Sequence, residues 1–85
     1  MTVRVSTEAG ETVTIIRIEG QLTSASVPDV RAACESAKPP LCLDLSGLRS
    51  ADTGGIRALQ SLSEAGAELR GASPYINQLF LEAKT

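Results

Sequence analysis

The chain has 85 residues, enough for one domain with one modest hydrophobic core. Only 2% of the residues are aromatic, so the core must be aliphatic, and the exposed aromatic platforms that bind single-stranded nucleic acid are excluded. The formal net charge is −2, basic residues form no stripe and histidine is absent, which excludes a nucleic-acid-binding face and histidine-dependent catalysis.

The N-terminal part of the chain predicts a β-hairpin. Val3 and Val5 alternate with polar residues, as in a short first strand. Residues 8–11 contain a glycine and form a turn. The β-branched segment 13–18 then predicts a second strand, which ends at Gly20.

A helix is predicted after the hairpin. Ser26 is a favourable N-cap, and Asp29 three residues later completes a pattern that resembles a capping box. Pro39 and Pro40 end this helix. The apolar residues that fall on one face at helical spacing are Val27, Val30, Cys34 and Ala37.

Strands and helices alternate through the rest of the chain. The apolar run 41–45 predicts a strand covered on both faces, and residues 47–52 are predicted as a loop. A second helix ends at Gly66, the segment 67–70 predicts a short strand, and Ser73 is the N-cap of a last helix. The helical stripes are Ile56, Leu59 and Leu62 in the second helix and Ile76, Leu79, Phe80 and Ala83 in the third.

The order of elements is therefore β-β-α-β-α-β-α. Such an alternation after a hairpin predicts an α/β fold, in which a mixed sheet of about four strands packs with about three helices. The sequence shows no linker and no internal repeat, so we expect residues 1–85 to form a single domain.

Several other classes of protein are excluded by the sequence. Cys34 and Cys42 are too few for a zinc site and lie within apolar patterns, so we interpret them as small core residues. No glycine-rich phosphate-binding motif is present, and we expect no cofactor and no metal. The start of the chain lacks the apolar run of a signal peptide and no segment is long enough to span a membrane. We therefore expect a cytoplasmic domain that does not insert into membranes.

Two carboxylates, Asp44 and Asp52, are the pair that we expect to lie close together. As a pair they have the chemistry of a general acid and base, but no other catalytic residues accompany them. The favoured interpretation is structural, with Asp44 ending a strand and Asp52 capping a helix. We therefore expect no enzymatic activity.

The 52–55 segment, Asp52-Thr53-Gly54-Gly55, lies at the predicted start of the second helix. The hydroxyl of Thr53 would lie beside unpaired backbone N–H groups, where the helix dipole favours a phosphoryl group. Thr53 is thus either a plain N-cap or a hydroxyl that is modified or contacts a partner. The two glycines either leave the site open to a partner or allow tight packing on the sheet.

A known family shares several of these segments. The segments 43–47 (Leu-Asp-Leu-Ser-Gly) and 51–56 (Ala-Asp-Thr-Gly-Gly-Ile), followed by Leu59, resemble the STAS domain family, the family of anti-sigma factor antagonists. The segment 20–22 (Gly-Gln-Leu) resembles the stretch that precedes the first helix of that family. The resemblance covers nearly the whole chain and implies a bacterial regulatory domain that binds proteins.

The resemblance also implies a mechanism of partner switching. Thr53 matches the position that an anti-sigma kinase phosphorylates in the antagonists, and phosphorylation releases the antagonist from that kinase. The expected partner is an anti-sigma factor with serine kinase activity, and the expected process is the regulation of transcription. The predicted partner-binding residues are Asp52, Thr53, Gly54, Gly55, Ser24, Ser26, Asp44 and Ser46.

Two other functions are compatible with the same residues. The Asp-Thr-Gly-Gly sequence resembles the STAS subunit of the bacterial phospholipid-transport ABC system, in which the domain binds the ATPase subunit and the threonine lies at that contact. The remaining alternative is a STAS scaffold or ligand sensor that no kinase modifies.

Overall fold

The sheet is built around one nine-residue strand, which pairs with three of the other four strands. The computed structural model describes residues 3–83. In chain order the elements are β1 (Val3–Ala9), β2 (Thr14–Leu22), a 3-10 turn (Ser24–Ser26), α1 (Val27–Ser36), β3 (Leu41–Asp44), β4 (Leu48–Ala51), α2 (Thr53–Glu64), β5 (Glu68–Arg70) and α3 (Pro74–Ala83). The ends of the predicted domain, residues 1, 2, 84 and 85, lie outside the described residues. The α/β fold with a mixed sheet and three helices is confirmed, with five strands instead of about four.

Strand β2 is paired along both of its edges. On one edge β1 runs antiparallel to it over seven residue pairs. On the other edge β3 runs parallel to the first part of β2, and β4 runs parallel to its last part. Strand β5 extends the sheet beyond β3, so the two ends of the sheet are formed by β1 and β5.

Strand β4 lies where the sequence predicts a loop, over residues 47–52. Its position is set by the length of β2, because β3 pairs with only the first four residues of β2 and leaves the rest free to accept a partner. The N–H of Gly20 donates to the carbonyl of Gly47 at 3.0 Å, and the N–H of Asp52 donates to the carbonyl of Leu22 at 3.0 Å. The loop prediction is therefore wrong for residues 48–51. The sequence could not indicate this strand, because long-range hydrogen bonds leave no periodic signal in so short a segment.

The helices cover one face of the sheet and enclose an aliphatic core. From the sheet, Ile16, Ile18, Leu22 and Leu43 are fully buried, and they pack with residues of all three helices. The helical residues at the centre of this cluster are Val30, Cys34, Ile56, Leu59 and Ile76. Both cysteines are buried and unbridged, which confirms their interpretation as small core residues.

The start of α1 differs from the capping box that the sequence predicts. Ser26 precedes the helix, but its backbone is already helical, at φ −94° and ψ −10°, and its side chain makes no capping hydrogen bond. Its hydroxyl oxygen lies 3.5 Å from that of Thr23. The 3-10 turn leads directly into α1, so Ser26 does not act as an N-cap. In α3, by contrast, Ser73 is confirmed as the cap, since its hydroxyl accepts the N–H of Ile76 at 3.2 Å.

None of the helices found between residues 3 and 83 has the length and apolar character needed to cross a membrane.

Candidate functional site

Asp52 is the N-cap of α2. Its backbone is extended, at φ −83° and ψ 179°, and its carboxylate oxygen Oδ1 accepts the N–H of Gly55 at 2.7 Å. This bond satisfies one of the N–H groups that have no partner within the first turn of a helix. The predicted capping role of Asp52 is therefore confirmed, and Thr53 is not the cap.

The second oxygen of the Asp52 carboxylate binds a different part of the chain. Oδ2 accepts the backbone N–H of Ser24 at 2.9 Å and the hydroxyl of the same residue at 3.2 Å. These donors, first the N–H of Ser24 and then that of Gly55, hold the pKa of the Asp52 carboxyl below its ordinary value. Asp52 is thus an anionic clamp between the 3-10 turn and α2, and all three hydrogen bonds favour its ionised form.

The two glycines of the 52–55 segment are both closely packed, Gly54 against the side chain of Ser24 and Gly55 against the backbone of Leu22. A Cβ atom on Gly54 would lie 2.2 Å from the hydroxyl oxygen of Ser24. A Cβ atom on Gly55 would lie 2.8 Å from the carbonyl oxygen of Leu22, and Gly55 is buried. Of the two interpretations of the glycines, tight packing on the sheet is therefore confirmed for Gly55, whereas Gly54 is half-buried and packs on the 3-10 turn.

Thr53 is the first residue of α2 and is exposed. Its side chain makes no hydrogen bond to any residue between 3 and 83, so its hydroxyl faces solvent beside the positive end of the helix dipole. The packing of Gly55 brings this helix end close to the sheet, while Thr53, which carries the one hydroxyl of the segment, stays exposed.

A groove begins beside Thr53 and runs between α2 and α3, and we call it the α2–α3 groove. It has a volume of about 400 Å³. Its lining residues are Ala51, Asp52, Thr53, Ile56, Arg57, Leu79, Glu82 and Ala83. Arg57 is not among the predicted site residues, although its spacing of four from Thr53 places both on the same face of a helix.

Asp44 and Ser46 form a separate cluster on the sheet face that the helices leave open. The Asp44 oxygen Oδ1 accepts the N–H of Ser46 at 3.0 Å and its hydroxyl at 2.7 Å, which closes the turn between β3 and β4. The other oxygen accepts the Nε–H of Arg17 at 3.2 Å. These contacts, above all those from Ser46, hold the pKa of the Asp44 carboxyl below its ordinary value.

The structure separates the predicted site residues into two groups. Asp44 lies opposite Arg17 in the sheet, whereas Asp52 is bonded to Leu22, five residues further along β2. At about 3.3 Å per residue this corresponds to roughly 17 Å, so the prediction that Asp44 and Asp52 lie close together is wrong. Proton exchange between them is therefore excluded.

Of the other predicted residues, Ser24 joins the 52–55 segment through its bonds to Asp52. Ser26 lies at the end of the same 3-10 turn, but its hydroxyl is directed at Thr23. Ser46 stays with Asp44. The contact between Ser24 and Asp52 could not be predicted from a periodic pattern in the sequence, because the two residues are 28 positions apart.

Comparisons with known proteins agree with this architecture. A family model described as "Mlab, STAS domain" matches residues 5–84. The crystal structure of an antisigma-factor antagonist STAS domain from Rhodobacter sphaeroides is 30% identical, with a TM-score of 0.62, and the match covers 85% of this chain and 92% of that one. The anti-sigma factor antagonist SpoIIAA, in its unphosphorylated form, has a TM-score of 0.70 over 98% of this chain and 81% of its own. At 17% identity this second likeness concerns the fold alone. No curated protein matches the chain.

Proposed function

The chain belongs to the STAS domain family, and from this premise we propose that it is a regulatory domain, without enzymatic activity, that binds a protein partner through the start of α2. The partner that we propose is an anti-sigma factor with serine kinase activity, and Thr53 is the residue that this kinase phosphorylates. We also propose that residues 1–85 form one domain. The similarity to an antisigma-factor antagonist at 30% identity supports a role of this kind.

The observation that carries the proposal is the position of Thr53. Its hydroxyl is exposed at the first position of α2, and it borders the α2–α3 groove. The clamp formed by Asp52 fixes the helix start, so a partner would meet a surface that is already ordered. A rigid surface of this kind binds with little loss of conformational entropy.

Phosphorylation of Thr53 would alter the interface more than the fold. A phosphoryl group adds a charge of about −1.5 to −2 at a helix N-terminus, where the dipole and the side chain of Arg57 one turn later offset part of it. The same charge would lie next to the ionised carboxylate of Asp52 at the surface that the partner covers. The modified domain therefore stays folded while its partner is repelled.

The first test is the Thr53→Asp variant in a binding assay with the anti-sigma kinase encoded by the same genome. We expect at least about a tenfold weaker binding, because the new carboxylate would lie beside the ionised carboxylate of Asp52 at the surface that the partner covers. Thr12→Asp is the matched control, since Thr12 is exposed in the hairpin turn at the other end of β2. Equal binding by Thr53→Asp and Thr12→Asp would contradict the proposed interface.

Phosphorylation itself is tested by incubating the chain with that kinase and ATP, followed by mass spectrometry. We expect one phosphoryl group on Thr53 in the wild type, none on Thr53→Val and one on Thr53→Ser, which keeps a hydroxyl at the site. A phosphoryl group on another residue, or none on the wild type, would remove the switch from the proposal.

The second candidate function is that of a STAS subunit bound to a transporter ATPase. It is favoured by the glycine at position 54, which packs on Ser24 and gives the Asp-Thr-Gly-Gly sequence of that subunit type. In this case Thr53 is a permanent contact, and binding to the ATPase survives incubation with kinases and ATP. Purification of the chain with a transporter ATPase, insensitive to phosphorylation, would decide for this alternative.

A further inference from the structure

Strand β1 forms a long open edge of the sheet. It pairs with β2 over all seven of its residues, and within residues 3–83 no strand pairs with its other side. It contains neither proline nor glycine and has no bulge in its pairing with β2, whereas the opposite edge strand, β5, has only three residues. An edge of this length presents a row of backbone groups that another strand can pair with.

The backbone groups that β1 presents outward can be identified from the hydrogen bonds of β2. The N–H groups of Thr14 and Gly20 donate to carbonyls on the β3 and β4 side, so the alternate residues of β2 face β1. Their partners in β1 are Arg4, Ser6 and Glu8, which therefore bond to β2. It follows that the N–H and C=O groups directed away from the sheet are those of Val3, Val5, Thr7 and Ala9.

From these groups we propose that two copies of the chain associate by antiparallel pairing of their β1 strands, with the two-fold axis at Ser6. In this register Val5 of one copy lies opposite Thr7 of the other, and both have their backbone groups directed outward, as a hydrogen-bonded pair requires. All seven residues of β1 take part. The two sheets become one continuous sheet, and neither copy keeps an open β1 edge.

Charge complementarity favours this register, and it favours a second copy of the chain as the partner of β1. Pairing around Ser6 places Arg4 of each copy opposite Glu8 of the other, in the non-hydrogen-bonded type of pair where side chains are closest. The registers centred on Val5 and on Thr7 also satisfy the backbone, but they place Arg4 or Glu8 opposite Ser6. Both charged side chains are exposed, and neither forms an ion pair among the described residues.

The interface is separate from the proposed partner site, because β1 and β4 lie on opposite edges of β2. Pairing of the β1 strands therefore does not depend on the partner site at the start of α2. Each charge occurs twice at the interface by symmetry, so a single substitution changes two contacts at once.

The test is a charge exchange followed by sedimentation equilibrium over a series of concentrations. We expect the wild type to form a dimer at high concentration, and Arg4→Glu or Glu8→Arg to weaken this self-association on the order of tenfold, since two like-charge contacts replace two favourable ones. The double variant with both substitutions restores the complementary pairs and should dimerise as the wild type does. Arg49→Glu, on β4, is the control with the same change of charge and should leave the dimer intact.

Amide hydrogen exchange gives a second measurement on the wild type. The N–H groups of Val5 and Thr7 should become protected as the concentration rises, whereas that of Ser6, bonded to β2, should be protected at every concentration. A chain that stays monomeric throughout, or a dimer that the single variants do not weaken or the double variant does not restore, would overturn the proposal. Far-UV circular dichroism of each variant separates these outcomes from a loss of fold.

Discussion

Asp52 shows how a single side chain can hold two separate segments. Its carboxylate accepts three hydrogen bonds, one from the N–H of Gly55 and two from Ser24. Serine and threonine, which are also favoured N-caps, have only one side-chain oxygen, and the asparagine amide nitrogen would face the N–H of Ser24 as a second donor. The position therefore requires an aspartate for its geometry as well as for its charge.

This requirement makes the fold sensitive to acid. The folded-state pKa of Asp52 is lowered, so its contribution to stability is complete above the unfolded pKa of about 3.9 and is lost as the pH falls through the folded value. We expect the Tm to decline across this acid range, measured by circular dichroism in a pH series. Asp44 has a lowered pKa as well and adds to the same decline.

The Asp52→Asn variant separates the contribution of Asp52 to this decline in Tm from that of Asp44. It should have a lower Tm than the wild type at neutral pH and a shallower decline in acid, because it cannot lose a charge. Asp29→Asn is the control, since Asp29 is an exposed acidic residue in the first turn of α1. Identical melting of Asp52→Asn and the wild type at neutral pH would show that the clamp does not contribute to stability.

The Gly55→Ala variant tests whether this glycine serves packing. Alanine favours a helix by about 1 kcal/mol relative to glycine, so an open site would become more stable. Here the new Cβ would lie 2.8 Å from a backbone oxygen of Leu22, and we expect a net loss of about 1–3 kcal/mol in the free energy of unfolding. Urea denaturation measures it, with Ser61→Ala on the exposed side of α2 as the control. A more stable Gly55→Ala protein would refute the packing interpretation.

Among the strands, β4 is the one that the sequence did not predict. Its four residues include one buried apolar side chain, Leu48, and the neighbouring Arg49 is exposed. Such a pattern is too short to separate a strand from a loop. The strand exists because the end of β2 offers unpaired backbone groups and because the turn at Asp44 and Ser46 returns the chain to the same edge.

The contrast between the buried Leu48 and the exposed Arg49 tests whether this segment behaves as a strand with one face on the core. Leu48→Ala should lower the free energy of unfolding by about 2–5 kcal/mol, since it empties a position in the core. Arg49→Ala should change it by less than about 0.5 kcal/mol. Denaturant unfolding of the two variants measures both values. If both variants were nearly as stable as the wild type, the segment would behave as the loop that the sequence predicts.

The helices were easier to predict than this strand. Each carries an apolar stripe at helical spacing, α1 and α2 end shortly before a proline or a glycine, and α3 begins at a proline; all of these signals are local. The predicted capping box of α1 is wrong because a long-range contact overrides the local signal. Its residues are suitable, but the 3-10 turn that the clamp of Asp52 holds places Ser26 in a helical conformation.

At the scale of the whole molecule, the two faces of the sheet have different roles. The helices bury one face in an aliphatic core, and the other face carries charged residues such as Arg17 and Asp44. The partner site that we propose lies where α2 leaves the end of β4, and the proposed dimer contact lies across β2 on the β1 edge. Two associations of different kinds can therefore take place on one small domain.

By itself, the sequence determined the aliphatic core, the alternation of strands and helices, the family and the start of a helix at the 52–55 segment. These are properties of composition, periodicity and short motifs, which depend on residues close together in the chain. Only the tertiary structure decided that Asp44 and Asp52 lie apart, that Ser24 completes the clamp, that Gly54 and Gly55 serve packing and that residues 48–51 form a strand. Each of these depends on contacts between segments distant in sequence, and the register of β2 with its neighbours sets them all.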